Sequence, residues 1–204
     1  FLNITIPFEP TTLLKDSKGK IWLGKWQGVE VYDPQSNKHE PLINFPRTEV
    51  TSMVEDREEN IWIGTIDGLF RYSLKTGQLD VFKHNPADPQ SISYNKIWHL
   101  MIDQEGTMWL GTFGGLNKMV PGTEKGEPKF SHWRTTNSHL PHDVVLCVID
   151  GGDGTLWMSC GNRISHFFPQ SGEFRNYDHS DGLNGRLIYK GRRGHSGEMY
   201  FSSR

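Results

Sequence analysis

Three groups of residues in this chain carry side chains able to do chemistry. The stretch HLPHD, His139 to Asp143, sets two imidazoles and a carboxylate close together, enough for a general base or a pair of metal ligands. Trp26, Tyr94 and Phe113 offer flat faces that stack on sugar rings, and Asp67, Asn162 and Arg163 offer partners for hydroxyl groups. The run DGGDG at 150–154 has the look of a calcium loop. It lacks the further oxygen ligands and the distant bidentate glutamate that such a loop needs, so neither a metal nor a cofactor is expected. No nucleophile elbow, phosphate-binding loop or CxxC motif is present.

These residues lie between copies of one phrase. Aligned on tryptophan, the chain reads KDSKGKIWLGKWQGVEVY (15–32), EDREENIWIGTIDGLFRY (55–72), IDQEGTMWLGTFGGLNKM (102–119) and IDGGDGTLWMSCGNRISHF (149–167), with a fainter copy in GEMYFSSR (197–204). The anchors Trp22, Trp62, Trp109, Trp157 and Tyr200 are 40 to 48 residues apart, the spacing of four-stranded propeller blades. Each unit divides into four short strands, in the second VTSMVED, IWIGT, LFRYS and LDVFKH, too short and too rich in β-branched and aromatic residues for helices. Asp16, Asp56 and Asp103, six residues before the tryptophan, suit Asx-type turns, and Gly19, Gly106 and Gly154 suit positive φ at the hairpin. The tryptophans belong first to the core.

The expected architecture is therefore all-β: four complete blades at 12–46, 49–84, 96–134 and 144–178, a partial fifth at 186–204, and the whole a segment of a larger propeller. Such a segment leaves apolar blade faces open, to be covered by further propeller sequence or by another copy of the chain. With 22 Lys+Arg against 24 Asp+Glu the chain carries no electrostatic footprint of a nucleic-acid binder, and no apolar run is long enough to span a membrane. The chain opens on Phe1 rather than Met, as a trimmed piece would, so the lack of a targeting signal does not bear on compartment.

The phrase D-x-x-G-x-ϕ-W-ϕ-G-T-x-x-G-L, with ϕ apolar, resembles the two-component-regulator propeller repeat of the extracytoplasmic sensor regions of bacterial hybrid histidine kinases. The resemblance is closest at 102–119, and HNPADPQSISYNKI (84–97) is similar to the family's inter-blade loop. Departures are Glu59 for the turn glycine, Lys25 and Trp26 for Thr and its neighbour, one extra residue and no Gly-Thr in the fourth copy, and Tyr200 for Trp. The resemblance implies a ring of mostly seven blades. It also implies a periplasmic input module that is not itself catalytic, binds a carbohydrate or related nutrient, and touches neither membrane nor nucleic acid directly. In propellers, small ligands dock on the face carrying the turns between second and third strands, which here hold Trp26, Asp67, Phe113, Asn162 and Arg163, with Tyr94 on a longer connection. Two other readings share the architecture: a streptogramin-lyase type of propeller with His139 or His142 as base, and a scaffold for protein partners.

Four features lie outside the repeat. Trp98 falls on an innermost strand level with Thr51, either narrowing the channel or filling the seam between blades; the seam is the expected place. Trp133 lies on an outer strand, against the next blade or in solvent. Lys190, Arg192, Arg193 and His195 read as a solvated loop. Cys147 aligns with Leu13, Met53 and Leu100, and Cys160 with Thr65 and Thr112. A two-residue hairpin at Asp153-Gly154 would set the cysteines opposite each other; the longer turn of the sibling blades would set Cys147 opposite Ser159 or Met158, with no disulfide.

Overall fold

The protein is described by a computed structural model over residues 8–120 and 127–203. Alternating apolar residues and tight glycine turns produce consecutive antiparallel meanders. The first sheet is β1 (Thr12–Lys15), β2 (Ile21–Lys25), β3 (Gly28–Asp33) and β4 (Lys38–Pro41). The second is β5 (Val50–Glu55), β6 (Asn60–Thr65), β7 (Gly68–Ser73) and β8 (Leu79–Phe82). The third is β9 (Ile97–Ile102), β10 (Met108–Thr112), β11 (Gly115–Val120) and β12 (Lys129–Trp133). The fourth is β13 (Val145–Asp150), β14 (Leu156–Cys160), β15 (Arg163–Phe168) and β16 (Glu173–Tyr177), and β17 (Ile188–Arg193) pairs with β18 (Met199–Ser203) in a two-stranded fifth. The first strand of each sheet packs on the first strand of the next, so β1, β5, β9, β13 and β17 are innermost, and the sheets are blades of a β-propeller.

The core is the set of seams between blades. Trp22, Val50, Met53, Ile61, Ile63 and Phe70 fill the first seam; Trp62, Leu69, Ile97, Leu100 and Leu110 the second; Trp109, Leu116, Val145, Val148, Met158 and Phe167 the third. In β6 the consecutive Ile61, Trp62 and Ile63 are all buried, because one blade covers each face of the strand. Trp133 packs into the third seam, 5.6 Å from Trp109 and 5.1 Å from Phe167 between ring centroids, which decides for the next blade over solvent.

The aspartate six residues before each of three tryptophans does more than shape a turn. One Asp16 oxygen accepts from the Lys18 and Lys20 backbone N–H groups, and the other accepts the Trp22 indole N–H at 2.8 Å. Asp56 holds Trp62 at 2.7 Å and Asp103 holds Trp109 at 2.8 Å in the same way. The hairpin is thereby fixed to its core anchor. Gly19, Gly106 and Gly154 adopt positive φ at one shared position, where the second blade places Glu59 at φ 65°. That glutamate is bonded to Lys18 of the first blade, the main reason its carboxyl pKa is lowered.

The fourth blade departs from expectation. Its hairpin has no extra residue: Ile149 faces Trp157 just as Leu14 faces Trp22 and Val54 faces Trp62. Gly151 occupies the aspartate position, its N–H bonded to Thr155 O as Asp16 N–H is to Lys20 O. The indole partner is missing, and a different chain of contacts replaces it. Thr155 Oγ1 donates to Asp153 Oδ1 at 2.6 Å, His166 Nε2 lies 2.8 Å from the same hydroxyl, and the His166 ring stacks on Trp157 with centroids 4.1 Å apart.

This corrects the cysteine alignment by one residue. Val148, not Cys147, is the equivalent of Leu13, Met53 and Leu100; Cys147 faces Ser159, while Cys160 faces Val145. Both cysteines are free and buried. Burial raises their thiol pKa values, to about 11 for Cys147 and about 12 for Cys160. Iodoacetamide at pH 8 is expected to leave both unlabelled in the folded chain over a time that labels both in denaturant, followed by mass spectrometry. Equal rates in the two states would contradict this packing.

A second correction concerns Lys190, Arg192 and Arg193. They belong to the innermost strand β17 rather than to a loop, because Ile188 anchors that strand in the core and β18 pairs with it.

Candidate functional site

The two ends of the propeller differ in what their loops are occupied with. At the hairpin end, the loops of the first three blades are each tied to the next blade: Ser17 N–H donates to Glu55 Oε2 at 2.7 Å, Arg57 Nη2 to Gln104 O at 3.0 Å, and Gln104 N–H to Asp150 Oδ2 at 3.1 Å. At the opposite end lie the two-residue turns Trp26-Gln27, Ile66-Asp67, Phe113-Gly114 and Gly161-Asn162. Their backbones are tied down and many of their side chains are free. Gly28 N–H donates to Thr48 O and Gly115 N–H to Asp143 O, while Ile66, Phe113 and Gly161 N–H groups donate to Glu49, Lys96 and Val144 carbonyls.

Trp26 and Asp67 come together. With Gln27, Arg47, Thr48, Glu49 and Ile66 they line an open cleft of about 500 Å³ between the turns of the first two blades. Trp26 is 67% exposed, and Asp67 is paired with Lys83 at 2.8 Å. The buried Thr48 hydroxyl in the cleft wall has no hydrogen-bond partner among the described residues.

Phe113 and Tyr94 form a second group at the third blade. The backbone of Ser93-Tyr94 lies so close to Gly114 that a Cβ there would sit 2.9 Å from that of Tyr94, which explains the glycine. Ser93 is locked in place: its N–H donates to buried Asn117 Oδ1 at 2.7 Å, and its hydroxyl lies 2.9 Å from Thr112 Oγ1. Asn95 Oδ1 accepts from His84 N–H, and His132 Nε2 bonds Ser91 O. The 84–95 connection is therefore a fixed strap.

At the end of that strap the structure adds two residues that sequence reasoning left out of the site. Lys96 places its ammonium 4.2 Å from the Phe113 ring centroid and 5.5 Å from that of Trp98, and the two rings are 5.9 Å apart. Trp98 does not fill the seam. It is the bulged residue of β9, between Ile97 facing Thr112 and His99 facing Gly111, and the bulge turns its ring onto Phe113 of its own blade. Thr51, Leu146 and Tyr189 are the bulged residues of β5, β13 and β17. The signal was a column in the repeat alignment: Glu49-Val50-Thr51, Lys96-Ile97-Trp98, Val144-Val145-Leu146.

Asn162 and Arg163 are exposed at the fourth turn, and no hydrogen bond or ion pair joins them to either group. His142 packs on Gly161 there, its Nδ1 accepting the Val144 N–H at 2.9 Å, and Asp143 is bonded to Thr135. HLPHD is a strap anchored by buried Leu140, with His139 exposed. Among the described residues no three His, Cys, Asp or Glu side chains are grouped to hold a metal.

The Trp-centred four-stranded blades make the chain a segment of a β-propeller. The profile of the two component regulator propeller matches residues 44–67 and 91–114. It is 27% identical over 116 residues to histidine kinase P4 of Formosa agariphila, covering 52% of this chain and 8% of that protein. The extracellular domain of a B. thetaiotaomicron protein described as a one-component system superposes with a TM-score of 0.69 at 19% identity, covering 98% of this chain and 32% of the other. A catalytically inactive histidine variant of virginiamycin B lyase from Staphylococcus aureus, solved with quinupristin, superposes at 0.68 and 16% identity, covering 97% and 65%. The chain thus spans about a twelfth of the histidine kinase and a third of the extracellular domain. No helix among the described residues is long and apolar enough to cross a membrane.

Proposed function

We propose that this chain is part of the periplasmic input module of a two-component sensor, binding a carbohydrate or related nutrient on its turn-bearing face and doing no chemistry itself. The observation that carries this reading is the pair of two component regulator propeller repeats, which run through the Ile66-Asp67 and Phe113-Gly114 turns of that same face. Support comes also from the division of labour between the two ends: one is tied blade to blade, and the other presents Trp26, Tyr94 and Phe113 on fixed backbone. The chain's open blade faces would be met by further propeller sequence or a second copy of the chain.

The lyase reading rests on a likeness of fold at 16% identity. His142 spends its Nδ1 on its own turn, and neither it nor His139 is directed by a carboxylate partner as a general base would be.

The test is a transcriptional reporter in cells making the complete protein, challenged with purified mono- and oligosaccharides. One sugar is expected to induce, and Trp26→Ala and Phe113→Ala are expected to lower induction at a fixed subsaturating dose at least about ten-fold, a loss of about 1.4 kcal/mol in binding. Streptogramin turnover by the purified protein, abolished in His139→Ala or His142→Ala, would overturn the proposal.

A further inference from the structure

The first three turns of this face share one backbone, with Gly28, Gly68 and Gly115 at positive φ, so what distinguishes a ligand among them must come from side chains that differ between blades. The second, third and fourth blades each bond a turn N–H to the carbonyl two residues before the bulge: Ile66 to Glu49, Phe113 to Lys96, Gly161 to Val144. The residues at these equivalent positions are Glu49, Thr51 and Ile66 in the second blade, Lys96, Trp98 and Phe113 in the third, and Val144, Leu146 and Gly161 in the fourth. Among these three, only the third blade assembles a cation and two aromatic rings.

The Lys96 ammonium is half-buried against both rings and has no carboxylate within ion-pair distance among the described residues. Ring faces attract a cation but leave the outer side of an ammonium without an anion. Trp98 and Phe113 themselves are only partly buried. Their position is set by the β9 bulge and by the fixed 84–95 strap, so little ordering would be needed on binding.

We propose that Lys96, Trp98 and Phe113 form a subsite for an acidic sugar, the pyranose ring stacking on the aromatic pair and its carboxylate or sulfate meeting the Lys96 ammonium. This rests on the sensor reading above and narrows it to anionic saccharides.

The probes are a galacturonic acid tetrasaccharide with its carboxyl-reduced neutral counterpart, and a sulfated disaccharide with its unsulfated form. Affinity is measured on the complete protein by calorimetry. At least one acidic probe is expected to bind about ten-fold or more tightly than its neutral partner, with the preference shrinking as salt is raised. Which pair shows it tells carboxylate from sulfate. The variants Lys96→Glu and Trp98→Thr install what the second blade already carries, so the blade tolerates them, and an unchanged melting temperature verifies it. Lys96→Glu is expected to erase the acidic preference; Trp98→Thr weakens binding of both the acidic and the neutral probe. The inference is overturned if neither acidic probe binds, if acidic and neutral partners bind alike, or if the preference survives Lys96→Glu. Induction of signalling by a neutral sugar without acidic preference would leave the sensor reading standing and remove this one.

Discussion

Asp16→Ala lowers the free energy of unfolding by about 3 kcal/mol, the largest single loss expected from a polar residue in this chain. The carboxylate is 4% exposed and accepts three hydrogen bonds, from Lys18 N–H at 3.0 Å, Lys20 N–H at 2.8 Å and the Trp22 indole at 2.8 Å. Truncation leaves the indole N–H of a tryptophan that is itself 2% exposed with nothing to donate to. An orphaned buried donor costs about 1–3 kcal/mol, and the loss of charge-assisted bonds to the turn adds to it. Asp56→Ala and Asp103→Ala lose the same indole bond in part-buried surroundings and should cost less, about 2 kcal/mol. Denaturant unfolding of the three variants gives the comparison. A loss under about 1 kcal/mol for Asp16→Ala would mean that the tryptophan finds another partner.

Stability is expected to fall on acidification between pH 6.5 and pH 4, and His99 is the main cause. Its ring lies on the innermost strand against the fourth blade, with Nδ1 accepting the Val148 N–H at 3.4 Å, a bond only the neutral imidazole can make at that atom. Desolvation pushes its pKa down to about 4 from the ordinary 6.5. A depressed folded-state value means that the unfolded chain takes up the proton first. The His99 contribution is therefore whole above pH 6.5, erodes below it, and is spent once pH falls through about 4. The size is on the order of 3 kcal/mol. Burial also lowers the pKa of His132 and His166, with the same sign. Carboxylates held low by hydrogen bonds, such as Asp88 by the Gln90 N–H and Asp153 by Thr155, start from ordinary values of 3.8 and give way only at lower pH. The window from 6.5 to 4 thus belongs mostly to histidine. His99→Gln keeps an acceptor for Val148 and cannot titrate, so its unfolding free energy should keep only the smaller slope left by His132 and His166 across that window; a slope equal to that of the parent chain would assign the effect elsewhere.

His99 also shows why part of the chain could be read in advance and part could not. Its equivalents are Ser52, whose hydroxyl accepts from Leu100 N–H, and Cys147, whose thiol donates to Gly191 O at 3.8 Å. In each of these three blades this position sends a polar side chain across the seam to the next inner strand. Three residue types share that task, so the column looks unrelated until the blades are in place.

By itself the sequence determined the repeat, its strands and its turns, because these depend on contacts within some forty residues: alternation, glycine at positive φ, and an aspartate six positions from a tryptophan. It also named Trp26, Asp67 and Phe113 as residues of one face, since a turn between second and third strands always emerges at the same end of a blade, and Tyr94 on the longer connection that returns to that end. Only the tertiary structure decided the rest. The β9 bulge takes Trp98 out of the seam, Gly151 moves Cys147 to face Ser159, and Lys96 meets two aromatic rings because a strap anchored on Asn117 carries it there. Each of these depends on how one blade sits against its neighbour or on a local irregularity of the ladder. Neither leaves a period in the sequence to be read.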